Sequence, residues 1–109
     1  METSGRILRI YLDEQARHKG KPLYEAVIDA AREAGLAGAT VLRGIEGYGS
    51  HGEVHKTKIL RLSENLPVVV EIADTAEKIA AFVPRLKEIA SSGIAVVTAA
   101  EVISLRKTT

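Results

Sequence analysis

Residues Arg6 to Leu12 alternate, with Leu8, Ile10 and Leu12 on one side and Ile7, Arg9 and Tyr11 on the other, the period of two that marks a β-strand. A polar stretch, Asp13 to Lys21, separates it from Pro22, which suits the first turn of a helix. Leu23, Val27, Ala30, Ala31 and Ala34 then recur at helical spacing up to Gly35, a C-terminal cap, so the pattern predicts a helix over about residues 22–34. Ala39 to Tyr48 reads as a second strand with Gly44 and Gly47 inside it, where glycine marks a bulge or a close backbone approach. The polar, glycine-punctuated segment Gly49 to Lys56 predicts a loop, and Thr57 to Leu62 a strand extension. Leu66 to Ile72 is an alternating, β-branched strand with Pro67 at its start. Asp74 and Glu77 read as a capping box opening a helix with an apolar stripe of Ile79, Phe82, Val83, Leu86, Ile89 and Ala90, kinked at Pro84 and ended by Gly93. Ile94 to Val97 and Glu101 to Arg106 supply a last strand, interrupted near Ala99 and Ala100.

Strand, helix, strand, strand, helix, strand is a doubled βαβ unit. It predicts an α+β fold, a ferredoxin-like βαββαβ sandwich with an antiparallel four-stranded sheet and two helices on one face. Ile7, Tyr11, Val41, Ile45, Val69 and Val97 are then candidates for the other face, shared with Arg9, Arg43 and Glu71. A second face that apolar is most simply explained by a closed homo-oligomer with its sheets facing inward.

The chain has 109 residues, which suits a single domain over 1–109. A formal net charge of +1 removes the broad electrostatic case for nucleic acid as partner, and 4% aromatic content weakens any base-stacking platform. The absence of cysteine excludes disulfides, thiolate-bound zinc and a cysteine nucleophile, and it fits a reducing cytoplasm. Met1 to Gly5 lacks the basic and hydrophobic regions of a secretory signal, and no apolar run is long enough to span a membrane, so the chain is expected not to be membrane-inserted.

Candidate chemistry concentrates in Arg43-Gly44-Ile45-Glu46-Gly47-Tyr48-Gly49-Ser50-His51-Gly52, where successive glycines allow backbone N–H groups to turn toward a phosphate. The spacing matches neither the GxxxxGK[ST] phosphate loop nor GxGxxG, and a bulged strand entering a hairpin explains the glycines equally well. His51, Glu53 and His55 have H-x-E-x-H spacing, which suits zinc or copper, although solvated loop histidines are the plainer account. His18, near Arg17, Lys19 and Lys21, either helps hold an anion at the start of the first helix or belongs to an ordinary basic turn. Arg106 and Lys107 could reach a phosphate at a subunit boundary or simply solubilise the tail. No nucleophile triad or carboxylate pair stands out, so the chain does not read as an enzyme.

The runs Gly20-Lys21-Pro22-Leu23-Tyr24, Gly38-Ala39-Thr40-Val41-Leu42-Arg43-Gly44-Ile45-Glu46-Gly47-Tyr48-Gly49 and Leu62-Ser63-Glu64-Asn65-Leu66-Pro67, with His55 and Asp74, resemble the small PII-like proteins of domain of unknown function 190, within the nitrogen-regulatory PII superfamily. The resemblance covers Gly5 to Leu105. It implies a PII-like homotrimer with a mobile loop between the second and third strands and ligand clefts between subunits. PII proteins bind adenine nucleotides there and regulate transporters and enzymes through the loop.

The chain departs from PII itself in lacking a tyrosine at the loop tip and in having only Ser91-Ser92-Gly93 before its last strand, a much shorter segment than PII's glycine- and lysine-rich nucleotide loop. The expectation is a non-enzymatic, cytoplasmic signalling protein with no required cofactor that binds AMP, ADP or ATP. Gly47, Gly49 and Ser50 would cradle the phosphate, Arg43 and Gly44 would complete the loop base, and Lys21, His51, His55 and Arg106 would supply charge contacts. Residues 49–58 would engage the partner, a membrane transporter or an enzyme by analogy with PII. The alternative is a metal-responsive trimer like the divalent-cation-tolerance proteins, using His51, His55 and Glu53. An acylphosphatase-type hydrolase shares the strand order, but Asp13 to Arg17 replaces its glycine-rich phosphate loop.

Overall fold

The computed structural model describes residues 2–48, 54–56 and 66–107. In chain order the elements are β1 (Glu2–Asp13), β2 (Arg17–His18), β3 (Lys21–Pro22), α1 (Leu23–Glu33), β4 (Ala39–Arg43), β5 (Glu46–Tyr48), β6 (Val54–Lys56), β7 (Pro67–Thr75), α2 (Ala76–Ile89) and β8 (Ile94–Ile103). The main sheet has the order β4-β7-β1-β8, antiparallel throughout, and β2-β3 and β5-β6 are two short ribbons beside it. This is the expected ferredoxin-like α+β arrangement.

Alternation in β1 and β7 sends Leu8, Ile10, Leu12, Val68, Val70 and Ile72 to one face, where they form the core with the two helices. α1 contributes Leu23, Ala26, Val27, Ala30 and Ala31, and α2 contributes Ile79, Phe82, Leu86 and Ile89, each set lying along one helical stripe. The Leu23 N–H of α1 donates to the Ala16 carbonyl at 2.7 Å, which ties the helix start to the ribbon before it. At the other end the Gly35 N–H donates to Arg32 O and the Leu36 N–H to Ala31 O, a paired closure that requires the left-handed backbone of Gly35, φ +78°.

Several boundaries differ from the sequence reading, each for a physical reason. Thr75, not Asp74, caps α2: its hydroxyl accepts from the Lys78 N–H at 3.2 Å. Asp74 is buried at the end of β7, where its carboxylate accepts from the N–H groups of Ala37 at 2.8 Å and Thr75 at 2.7 Å, pinning the connection between α1 and β4. The α2 helix continues through Pro84, which is exposed, as is Ala80 one turn earlier. It ends at Ala90, whose N–H donates to Leu86 O. Gly93, φ +107°, instead turns the chain into β8, which runs without interruption through Ala99 and Ala100. The expected extension over Thr57 to Leu62 lies outside the described residues.

Register also corrects the composition of the second sheet face. Ile7, Arg9, Tyr11, Val69 and Glu71 lie on it as expected, because they alternate with the core residues of β1 and β7. Val41 pairs with Val70, Arg43 with Val68 and Val97 with Leu8, so all three belong to the helix side. Their neighbours Leu42 and Val96 take the open face, opposite Val69 and Arg9. Ile45 lies between β4 and β5, outside the main sheet. The open face therefore carries an apolar row Leu42-Val69-Tyr11-Ile94 beside the row Thr40-Glu71-Arg9-Val96, in which Arg9 Nε donates to Glu71 at 2.8 Å.

Candidate functional site

The β4 strand leaves the main sheet at Arg43, and its continuation rises as the β5-β6 ribbon, so the base of the 49–58 loop sits over the start of β7. The Gly44 N–H donates to Pro67 O at 2.7 Å. A Cβ added at Gly44 would stand 2.9 Å from Pro67 Cγ, and one at Gly47 3.1 Å from the same atom. The close approach predicted at these glycines is thus made by the Pro67 ring. Arg43 Nη2 donates to Glu14 at 2.9 Å. Glu14 and Leu66 bond reciprocally: the Glu14 N–H donates to Leu66 O at 3.0 Å and the Leu66 N–H to the Glu14 carboxylate at 3.2 Å. Arg43, Gly44 and Gly47 are therefore brought together around Glu14, Leu66 and Pro67. On the ribbon, Gly47 pairs with His55, while Ile45 and Tyr48 are 79% and 74% exposed.

Two of the expected charge contacts lie elsewhere in the chain. Arg106 follows β8, beyond the Glu2–Ile103 pair, whereas Arg43 lies near the Asp13–Pro67 pair. Eleven strand steps at about 3.3 Å put those ends roughly 36 Å apart. Only a second copy of the chain could bring Arg106 to the loop base. Lys21 sits on the helix side, where its ammonium donates to Asp29 at 2.7 Å. That hydrogen bond and the charge behind it hold the Asp29 carboxyl below the usual aspartate range and raise the Lys21 ammonium above the usual lysine range. Gly49, Ser50 and His51 lie outside the described residues, as does Glu53. Among the described residues, no three His, Asp or Glu side chains gather as a metal-ligand set.

Glu14, Leu66 and Pro67 were not among the site residues singled out by sequence. The Glu14–Arg43 pair spans 29 positions, and Pro67 read only as a strand start. The second signal missed is β8, whose ten residues include none that is buried although most are apolar.

This sheet order and helix layer, with a ribbon rising from β4, define a ferredoxin-like α+β sandwich. The chain matches the DUF190 family, described as "Uncharacterized ACR", over residues 5–102, and it belongs to that family. A UPF0166 protein of Aquifex aeolicus is 46% identical over 82 residues, 75% of this chain and 78% of that one. A UPF0166 protein of Methanocaldococcus jannaschii is 40% identical over 94 residues, covering 85% and 86%.

Among solved structures, CPII, a nitrogen regulatory PII-like protein from Thiomonas intermedia K12 bound to ADP, AMP and bicarbonate, superposes with a TM-score of 0.64 at 22% identity, covering 94% of this chain and 91% of that one. A PII-like signaling protein from Thermus thermophilus gives 0.68 at 17% identity, covering 94% and 92%. CutA1 from Oryza sativa gives 0.60 at 12%, covering 95% and 84%. These structures share the fold. Among the described residues, no helix is long and apolar enough to cross a membrane.

Proposed function

We propose that the protein is a non-enzymatic PII-like regulator. It works as a homotrimer, holds a small phosphorylated ligand, an adenine nucleotide, in clefts between subunits, and acts on a transporter or enzyme through the 49–58 loop. The observation that carries this reading is the open sheet face: Tyr11, Leu42 and Ile94 stand in one exposed row, next to an edge strand that no described element of the same chain covers. A surface of this kind is stable in water when further copies shield it, and shielding by three copies creates clefts between neighbours.

Within such a cleft, Arg43, Gly44 and Gly47 at the loop base of one subunit, with Gly49, Ser50, His51 and His55 along the loop, would meet Arg106 from the next. Lys21 would join them only through movement away from Asp29. The PII-like neighbour bound to ADP and AMP supports an adenine nucleotide as the ligand. Calorimetry with AMP, ADP and ATP tests it. Saturable heat that Arg43→Ala and Arg106→Ala each reduce is expected; absence of heat and of any thermal shift with all three nucleotides would overturn the reading.

The CutA1 likeness favours a second reading, a metal-responsive trimer using His51, His55 and Glu53. Copper or zinc uptake abolished by replacing both histidines with alanine would support it, and uptake unchanged by that replacement would remove it.

A further inference from the structure

On the side of the molecule that carries the helices, the β2-β3 ribbon packs against α1, and an open hollow of about 270 Å³ there is lined by His18, Lys19, Lys21, Asp29, Glu33 and Arg85, with Ala26 and Ile89 as its apolar part. The ribbon pairs His18 with Lys21, so Lys19 and Gly20 form a two-residue turn, and both have positive φ, +49° and +84°. A turn of that hand favours asparagine or glycine at its first position, because a Cβ there approaches the following carbonyl oxygen. Lysine stands there nonetheless, and it lines the hollow. Strain of this kind at a cavity points to a use for the side chain.

The charges of the lining are unequally committed. Lys21 is held by Asp29 at 2.7 Å. Arg17 donates to Gly20 O at 2.8 Å and fastens the turn. Among the described residues, the exposed Lys19 ammonium and Arg85 guanidinium have no ion-pair or hydrogen-bond partner, and of the two carboxylates of the lining Asp29 is paired with Lys21, which leaves Glu33 without an ion pair. The volume is below the usual range for a drug-sized ligand, which starts at about 300 Å³.

We propose that this hollow receives a compact dianion, inorganic phosphate or a short dicarboxylate, held between Lys19 and Arg85. The hollow shares only Lys21 with the residues proposed for the nucleotide cleft, and Lys21 is already engaged by Asp29, so a failure of nucleotide binding leaves the dianion site standing. Lys19 supplies a point charge and Arg85 a planar fork that matches two oxygens at once. Glu33 weakens the site by repulsion, which sets its affinity and excludes monoanions that gain too little from the two cations.

The test titrates the full chain with inorganic phosphate and, separately, with succinate at fixed ionic strength, following backbone amide signals by NMR. Saturable shifts centred on residues 18–21 and Arg85 are expected with at least one probe. Lys19→Gly and Arg85→Gln should each weaken binding at least tenfold, and Glu33→Gln should tighten it several-fold, a gain that a purely structural role for these residues would not produce. Lys19→Gly should melt no lower than the parent, because glycine relieves the turn. Saturation by phosphate alone assigns a phosphoryl ligand, by succinate alone a dicarboxylate, and by both a site that reads charge. Shifts that fail to saturate with either probe, or affinity unchanged in Lys19→Gly and Arg85→Gln, would overturn the proposal.

Discussion

β7 and β8 flank the same central strand, β1, and both are predominantly apolar, yet their surroundings are opposite. In β7 every second residue from Val68 to Asp74 is buried. In β8 none is, and the adjacent pair Val96 and Val97, pointing to opposite faces, are 39% and 47% exposed. The difference lies in the neighbours. β7 has β4 on its outer side and the helices over one face, whereas β8 is an edge of the sheet, with no strand on its outer side among the described residues and a single charge, Glu101. A long, flat, apolar edge is a hazard unless something covers it. Apolar β-branched sequence makes a strand; what buries it is a separate matter, and for β8 the proposed partner is another copy of the chain.

Substitutions can break this contrast from either side. The largest effect is expected from Ile94→Asp on the open face, where shielding by other copies would bury an unpaired carboxylate beside Tyr11 at several kcal/mol. The variant should keep its circular dichroism spectrum and sediment as single protomers. Ile72→Ala in β7 should instead lower the unfolding free energy by about 2–5 kcal/mol, read in urea melts, because it leaves a cavity in the shared core. Gly93→Ala adds a Cβ 2.7 Å from Leu12 and 2.8 Å from the Tyr11 carbonyl at a left-handed position. A loss of about 1–3 kcal/mol by thermal melting is expected where β8 begins. Thr75→Ala removes the α2 cap and should cost about 1 kcal/mol without changing assembly.

The smallest effect concerns Asp29→Asn. The native carboxyl titrates below its ordinary range, so its contribution is present above that range and is lost as the pH falls through the folded value. The Lys21 ammonium titrates above its ordinary range, so its share is present below that range and is lost as the pH rises through the folded value. Both groups are exposed, so the variant should only flatten the acid and alkaline ends of a melting-temperature profile.

The sequence conveyed elements better than faces. Strand β1, the core stripe of α1 and the alternation of β7 were legible because in each the apolar residues keep one phase. In β4 and β8 they do not: Val41 precedes Leu42 and Val96 precedes Val97, so alternation cannot say which one faces the helices, and only the pairing with β7 and β1 decides. The cap of α2 was misread by one position because Asp74 and Thr75 are both good caps, and the long-range bond from Ala37 engages the aspartate. At the loop base the glycines correctly signalled a tight approach. That the approaching group is Pro67, and that Glu14 holds Arg43, depends on contacts across tens of residues that no local pattern contains.

The proposed regulator requires the open face and β8 to be covered by further copies of the chain. Sedimentation equilibrium of the unmodified protein over a wide range of protein concentrations tests this most directly. The expected result is a single species of three times the 11.7 kDa protomer mass that persists on dilution. A stable species of one protomer mass at every concentration, with the sheet face still in water, would contradict it.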